Sequence, residues 1–318
     1  MRRLIMALLL VCLVAAPPVA RADDYPSRPV KIIVPYAPGG LTDVIARLYA
    51  QELSGILGGR FIVENRPGAG TLIGARAAYE AAPDGYTLFM ATIASNSLSR
   101  GLHEDLPYDA EKFVPIGLMG LGTFALVSSP TLPAKRVADL VKIGKERSRG
   151  LTYGSSGVKS PGHLLAYLFG KDAGLKLTHV PYKGSSETAA ALLNGQIDFV
   201  FDGTLMTMIK NGSKQVLLAT TSEKPWPGSP ETMAQAGYPN VTMVSYLGLV
   251  APPGTSQNLV QKLNDAMLKA LEVPSLTENL QKWELMPEKA SPDQFNAIMK
   301  AQTARWEPVI RSLSTNLE

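Results

Sequence analysis

From Val30 onward the chain repeats one local pattern: a short run rich in β-branched residues, a Gly- or Ser-containing junction, and then a stretch with helical spacing. VKIIVPYA leads into a helix from about Thr42, FIVENRP into a second helix near Gly74 to Ala81, and YTLFMAT follows. Strands that alternate with helices in this way wind a parallel sheet. A second set follows, in which FALVSS, LTYGSSG, LTHVPYKG, FVFDG and VLLATTS are separated by helical patterns near Val137, Pro161, Glu187 and Leu205. At 318 residues the chain exceeds the usual size of a single core, so two α/β units fit better than one large sheet.

A Pro- and Gly-rich stretch, EKPWPGSPETMAQAGYPN, precedes one more strand, VTMVSYLGLVAPPG, and an all-helical tail. In that tail Leu259, Val260, Leu263, Met267, Leu268 and Leu271 form one apolar stripe. Phe295, Ile298, Met299, Trp306, Val309, Ile310 and Leu313 form another. Both stripes are expected to pack on the first unit. A tail that returns to the first unit requires two crossings between units, expected near Gly120 to Phe124 and near Val244 to Leu249. The predicted organisation is residues 23–123 and 246–318 as domain 1 and residues 124–245 as domain 2. Two crossings allow a hinge but restrain twisting, which suits a cleft that closes.

The first residues, MRRLIMALLLVCLVAAPPVARA, read as a secretory signal peptide over residues 1–22, with Arg2 and Arg3 ahead of an apolar run from Leu4 to Ala16. That run is too short to span a bilayer comfortably, and Ala20-Arg21-Ala22 supplies a cleavage pattern, so the mature chain is expected to start near Asp23 and not to be membrane-embedded. Cys12, the single cysteine, would leave with the signal. Disulfides, thiolate metal sites and cysteine nucleophiles would go with it. The sequence holds 31 basic and 27 acidic residues, and loss of Arg2, Arg3 and Arg21 leaves 28 against 27. The densest basic stretch, Lys142 to Arg149, contains Glu146 and reads as a solvated helix end, so nucleic acid binding is not expected.

Three strand-to-helix junctions share one build, and each is expected to end at a cleft, where helix N-termini offer free N–H groups and positive dipole ends. In PYAPGGLTD, which contains Tyr36 and Pro38, Gly39 and Gly40 allow close backbone approach. There Thr42 is placed to cap the next helix, Leu41 begins it, and Asp43 sits in its first turn. In YGSSGVKSPGHLL, Ser160 and Pro161 form a strong helix start with Ser155, Ser156 and Gly157 in front of it. His163 falls in the first turn, where a cation is disfavoured, and is expected to be neutral and packed. In VPYKGSSETAA, Ser185 or Ser186 is placed to cap a helix ending at Asn194-Gly195, after Gly184. Lys183 is either a mobile charge at the cleft edge or a plain surface lysine. Ser95 and Asn96 follow another strand. Asp202 ends a further one, to accept from a ligand or to fix its own loop.

Catalytic patterns are largely missing. PGAGTLIG spaces its glycines as G-x-G-x-x-x-G, one residue too long for a dinucleotide fingerprint, and Pro67 interrupts the approach. No G-x-S-x-G, P-loop or H-E-x-x-H occurs, and His103, His163 and His179 lie far apart in different contexts. Neither a metal site nor a catalytic residue is predicted. A secreted hydrolase or isomerase on a similar scaffold remains the competing reading, since fold alone does not decide function. A ligand-presenting sensory receptor would use the same cleft.

The segments YPSRPVKIIVPYAPGGLTDVIAR, VENRPGAG, APDGYTL, LPYDAEKFVPIGL, LTYGSSG, HVPYKGS, ALLNGQIDFVFDG and LGLVAPPGT occur in one collinear order. In them the chain resembles the extracytoplasmic solute-binding receptors of tripartite tricarboxylate transporters, the Bug or TctC family. The resemblance implies a type II periplasmic-binding-protein fold, two doubly wound α/β lobes joined by a two-crossing hinge. It also implies a periplasmic receptor, not an enzyme, with no cofactor. Its partners would be a small carboxylate ligand and membrane transporter subunits, and a monomer is expected.

By the same resemblance, the loops of Pro38 to Asp43 and Ser155 to His163 hold a ligand carboxylate. Those of Lys183 to Ser186 and around Asp202 close from the second lobe. The chain departs from the family at Leu72, Val158, Tyr246 and the residues after Asp202. With Leu41, the apolar Leu72 and Val158 flank the cleft loops. They point to a mono- or dicarboxylate with an apolar body, since such side chains cannot satisfy a row of hydroxyls.

Overall fold

The structure is a computed structural model that describes residues 25–316 except 104, so the expected signal segment and Cys12 lie outside the described residues. The strands are β1 (Val30–Val34), β2 (Phe61–Asn65), β3 (Thr87–Thr92), β4 (Val114–Thr123), β5 (Ala125–Ser128), β6 (Leu151–Ser155), β7 (Leu177–Pro181), β8 (Phe199–Asp202), β9 (Val216–Thr220) and β10 (Val244–Ala251). The helices are α1 (Leu41–Leu57), α2 (Leu72–Tyr79), α3 (Ser99–Leu102), α4 (Val137–Glu146), α5 (Pro161–Ala173), α6 (Ser185–Leu193), α7 (Leu205–Lys210), α8 (Gln257–Ala270), α9 (Pro274–Lys282) and α10 (Pro292–Asn316).

Two sheets form, in the orders β2-β1-β3-β10-β4 and β7-β6-β8-β5-β9. Each has a parallel part, β2-β1-β3 and β7-β6-β8, as the alternation predicts. Each is completed by antiparallel strands, β10 and β4 in the first sheet and β5 and β9 in the second; β5, β9 and β10 are expected strands, but their direction, and β4 itself, do not follow from the alternation. These are the strands next to the crossings. β4 ends at Thr123 and β5 begins at Ala125, so the chain changes sheet within one residue, while the return from β9 to β10 passes through residues 221–243.

The crossings are stitched together. Thr221 donates its N–H to the Phe124 carbonyl (2.9 Å), its hydroxyl accepts from Phe124 N–H (3.2 Å) and donates to the Met243 carbonyl (2.9 Å). A hinge built on paired backbone can bend about this line, but its strands cannot slide past each other.

Successive side chains of a strand face opposite sides of a sheet, so those of β1 go to two different cores. In β1, Val30, Ile32 and Val34 pack with Ile45, Tyr49 and Leu53 of α1 and with Leu263 and Met267 of α8. Ile33 points the other way. α1 keeps its register through Tyr49, whose hydroxyl donates to the Met119 carbonyl (2.8 Å), and it ends on Gly58 at φ 68°. Gly248 in β10 is required by packing, since a Cβ there would lie 2.1 Å from the Phe295 ring.

The first stripe of the tail packs on the first lobe, as expected. The second begins there, with Phe295 against Tyr246, but does not stay. With 25 residues α10 is roughly 37 Å long, more than its own lobe needs, and Leu313 ends beside Tyr167 and His163 of the second lobe. One apolar cluster consequently runs through both lobes, joining Phe89, Trp306, Ile310 and Leu313 to Leu165 and Phe199.

Candidate functional site

Between the two sheets lies a chamber of about 240 Å³. Tyr36, Leu41, Thr42, Thr92 and Tyr246 line it from the first lobe, Ser156, Pro161, Gly162, Ser185, Asp202 and Thr204 from the second, and Gly122 to Phe124 from the hinge. The first turns of α1, α5 and α6 thus face one space from two lobes. The leading N–H groups of a helix have no intrahelical acceptor and carry the positive end of its dipole, so their convergence suits an anion. α5 comes close to β8 because residue 162 is glycine: a Cβ there would lie 2.4 Å from the Phe201 carbonyl oxygen. A second, outer chamber of about 460 Å³ adjoins the first, sharing Tyr36, Ala94, Ser156 and Pro161.

The loop before α1 is organised by Asp43, which does not face the chamber. Its buried carboxylate accepts from Gly39 N–H (2.9 Å), Arg47 Nε (3.0 Å), Arg47 Nη2 (2.9 Å) and Asn65 Nδ2 (2.9 Å), and Asn65 also donates to the Tyr36 carbonyl (3.1 Å). Burial pushes this carboxyl up, but the bonds from Arg47, Gly39 and Asn65 outweigh it and hold it below the usual carboxylate range. The Gly39 N–H is therefore occupied, and Pro38, Gly39 and Gly40 are exposed outside the chamber wall. Thr42 does not cap the helix. Gly40 is the N-cap, and Thr42 is the second residue of the helix, where it lines the chamber. Tyr36 reaches inward, its hydroxyl 3.3 Å from Thr92 Oγ1.

The second loop starts its helix as the sequence predicts: Ser160 is the N-cap, its hydroxyl accepts from His163 N–H (3.5 Å), and Pro161 follows. Ser156 lines both chambers. Ser155 and Gly157 are absent from both walls, and Ser155 Oγ lies 2.7 Å from both the Gly157 carbonyl and His179 Nε2. A serine next to a histidine invites a catalytic reading. The hydroxyl has one proton, however, and the Gly157 carbonyl can only accept. Ser155 therefore donates to Gly157, and His179 donates to Ser155 through Nε2–H instead of withdrawing its proton. The contact is a latch on the loop.

His163 is buried and neutral, as expected from its place in the first turn. Its Nδ1 accepts from Lys159 N–H (2.9 Å), its ring stacks on His179 at 4.0 Å, and burial, with the neighbouring His179, brings its pKa down to about 4.

The remaining candidates divide. Ser185 lines the inner chamber, but Lys183 and Gly184 do not. α6 takes Gly184 as its N-cap without a serine cap, because Glu187 reaches back to Lys183 N–H (3.2 Å) in its place. Asp202 fixes its own loop, with Oδ1 accepting from Thr204 N–H (2.8 Å) and Oγ1 (2.7 Å), while lining the chamber. Ser95 is buried in a reciprocal cap with Thr92, and Asn96 borders a separate surface cavity with Arg100 and Glu307. Thr92, Phe124, Phe201, Ser245 and Trp283 also line the inner chamber and were not among the expected residues. Phe124 and Ser245 had a signal, as residues within the two expected crossings.

Two α/β lobes hinged by paired crossings around a chamber that gathers helix N-termini define a two-lobed solute-binding receptor. The model of the tripartite tricarboxylate transporter family receptor matches residues 45–315, and the chain belongs to that family. Protein BugT of Bordetella pertussis is 33% identical over 312 residues, 96% of this chain and 94% of that protein. An R. palustris protein solved with adipate is 33% identical with a TM-score of 0.80, covering 91% of this chain and 98% of that one. MatC of Rhodopseudomonas palustris, solved with bound malate, is 28% identical with a TM-score of 0.77, covering 90% of this chain and 100% of that one. Among the described residues no helix is long and apolar enough to cross a membrane.

Proposed function

We propose that this chain is a periplasmic receptor that captures a small carboxylate in its interlobe chamber and hands it, unchanged, to the membrane subunits of a tripartite tricarboxylate-type transporter. The observation that carries this reading is the convergence of the α1, α5 and α6 N-termini on one chamber from both lobes. The adipate and malate bound by two structural neighbours support the ligand class. Thr42, Ser156 and Ser185 are the polar side chains that take the acid together with those helix ends, and Tyr36, Leu41 and Asp202 complete the wall. Asp43, Ser160 and His163 hold the loops that present them. The lobes divide as residues 23–123 with 246–318, and 124–245. The protein acts as a monomer after cleavage near Ala22.

A thermal-shift panel of carboxylates against the matching neutral amides tests the reading. Ligand at about one hundred times its Kd stabilises the bound fold by about 2.7 kcal/mol. Thr42→Asp should remove that shift with the fold retained, because residue 42 lines the chamber, where its charge opposes the incoming anion, while an acid in the first turn suits the helix. If no acid stabilises the protein, or if a bound acid is converted over time, the reading fails.

A further inference from the structure

An ion pair joins the two lobes directly. Lys210 Nζ, at the end of α7, and Glu284 Oε1, just beyond α9, meet at 2.6 Å beside an open side cavity of about 720 Å³. α7 belongs to the second lobe, where Leu205 and Met206 pack with Ala125 and Val127. Glu284 belongs to the first. Met286 exchanges both backbone bonds with Leu121 of β4 (3.0 and 2.7 Å), and Leu285 is buried in the first-lobe core.

The backbone at Glu284 suits a glycine. Glu284 N–H donates to the Gln281 carbonyl (3.1 Å) and Leu285 N–H to the Leu280 carbonyl (2.9 Å), the paired bonds that close a helix on a left-handed residue. Glu284 holds φ 56°, which strains any residue with a Cβ, so the helix end alone gives no reason for a glutamate. Its side chain has a use elsewhere.

The two partners are buried unequally. The Glu284 side chain is 6% exposed and that of Lys210 49%. Glu278 and Lys282 share the cavity wall, but both are exposed, and among the described residues no ion pair joins Lys282 to Glu284. Glu284 also lines the inner chamber, and Lys210 does not. Without Glu284, Lys210 keeps its water. Without Lys210, Glu284 is a buried carboxylate with no counter-ion, a strongly unfavourable state until water reaches it.

We propose that the Lys210–Glu284 pair is an interlobe clasp in which Lys210 permits Glu284 to be buried, so that loss of Lys210 parts the lobes and turns the Glu284 charge against a bound acid. The part that concerns the acid rests on the carboxylate-receptor reading. The clasp itself does not.

Spin labels on Gln51→Cys and Ala138→Cys, exposed positions on α1 and α4, report the distance between lobes in the ligand-free mature protein. Isothermal titration with adipate and with malate reports affinity. Lys210→Met should lengthen and broaden the label distance, and should weaken the acid that binds by about tenfold or more as parted molecules are withdrawn from binding. Lys210→Arg, which keeps the charge, should match wild type in both measurements. Glu284→Gln should change the distance little, because it strands only a solvated lysine, and adding it to Lys210→Met should restore most of the lost affinity. An unchanged distance in Lys210→Met, equal parting by Lys210→Met and Glu284→Gln, or a double variant as weak as Lys210→Met alone overturns the proposal. If wild type binds neither acid, the receptor reading loses its support while the label distances still decide the clasp.

Discussion

Acidification should weaken the ligand-free fold through His163, and the effect can be worked from its surroundings. The ring is 4% exposed, stacked on His179, and its Nδ1 accepts the Lys159 N–H, so the folded protein holds it neutral down to about pH 4. In the unfolded chain a histidine titrates near its ordinary value of about 6.5. Between these values the unfolded state binds a proton that the folded state refuses, so stability falls as pH falls from above 6.5 towards 4 and levels off below. The His163 contribution to that loss is about 2 kcal/mol by pH 5 and about 3 kcal/mol by pH 4. Urea denaturation at pH 8, 5 and 4 measures it in wild type and in His163→Asn, whose amide oxygen can still accept from Lys159 N–H but does not titrate. Carboxylates and the other histidines contribute to both proteins, so the difference between the curves isolates His163. Parallel pH dependence in the two would refute the reasoning.

Gly248→Ala should cost about 2 kcal/mol or more in urea denaturation, since the new Cβ overlaps the Phe295 ring and the sheet has no room to yield. Ser155→Ala should lower stability by about 1 to 2 kcal/mol, read as a Tm shift, because it strands His179 Nε2–H and the Gly157 carbonyl. Asp43→Asn should destabilise the fold by about 1 to 3 kcal/mol at pH 7. Because the wild-type carboxyl is held below its ordinary range, that gap should close as pH falls through the carboxylate range. N-terminal sequencing of exported protein should begin near Asp23, and recovery of an intact Met1 chain in membranes would contradict the signal assignment.

The parallel cores of both lobes were legible because Ile32–Val34, Leu88–Ala91 and Phe199–Phe201 are continuous apolar runs, the pattern of strands buried on both faces. β4 was not. Its sequence, VPIGLMGLGT, has few β-branched residues and three glycines, and it is a strand because β10 pairs along it. The caps show a similar limit. Ser160 with Pro161 is a local signal and holds, whereas Thr42 and Ser185 lose the N-cap position to Gly40 and Gly184. Asp43 was read as a first-turn acid near the ligand. Its binding by Asn65 depends on a partner 22 residues away that no local pattern shows. The outer chamber was invisible for the same reason, since its walls come from loops far apart in sequence and from both lobes.

The long last helix has a consequence for energy coupling. Its start is fixed to the first lobe by Phe295 and its end rests against the second through Leu313, so any bending at the hinge would change how much of that end is buried. The chain terminus therefore belongs to any equilibrium between open and closed forms, although it touches no ligand. Whatever favours the open form lowers apparent affinity by the fraction of molecules withdrawn from the binding-competent state. A truncation or fusion at the C-terminus is thus a means of tuning the receptor's set point from far outside its cleft.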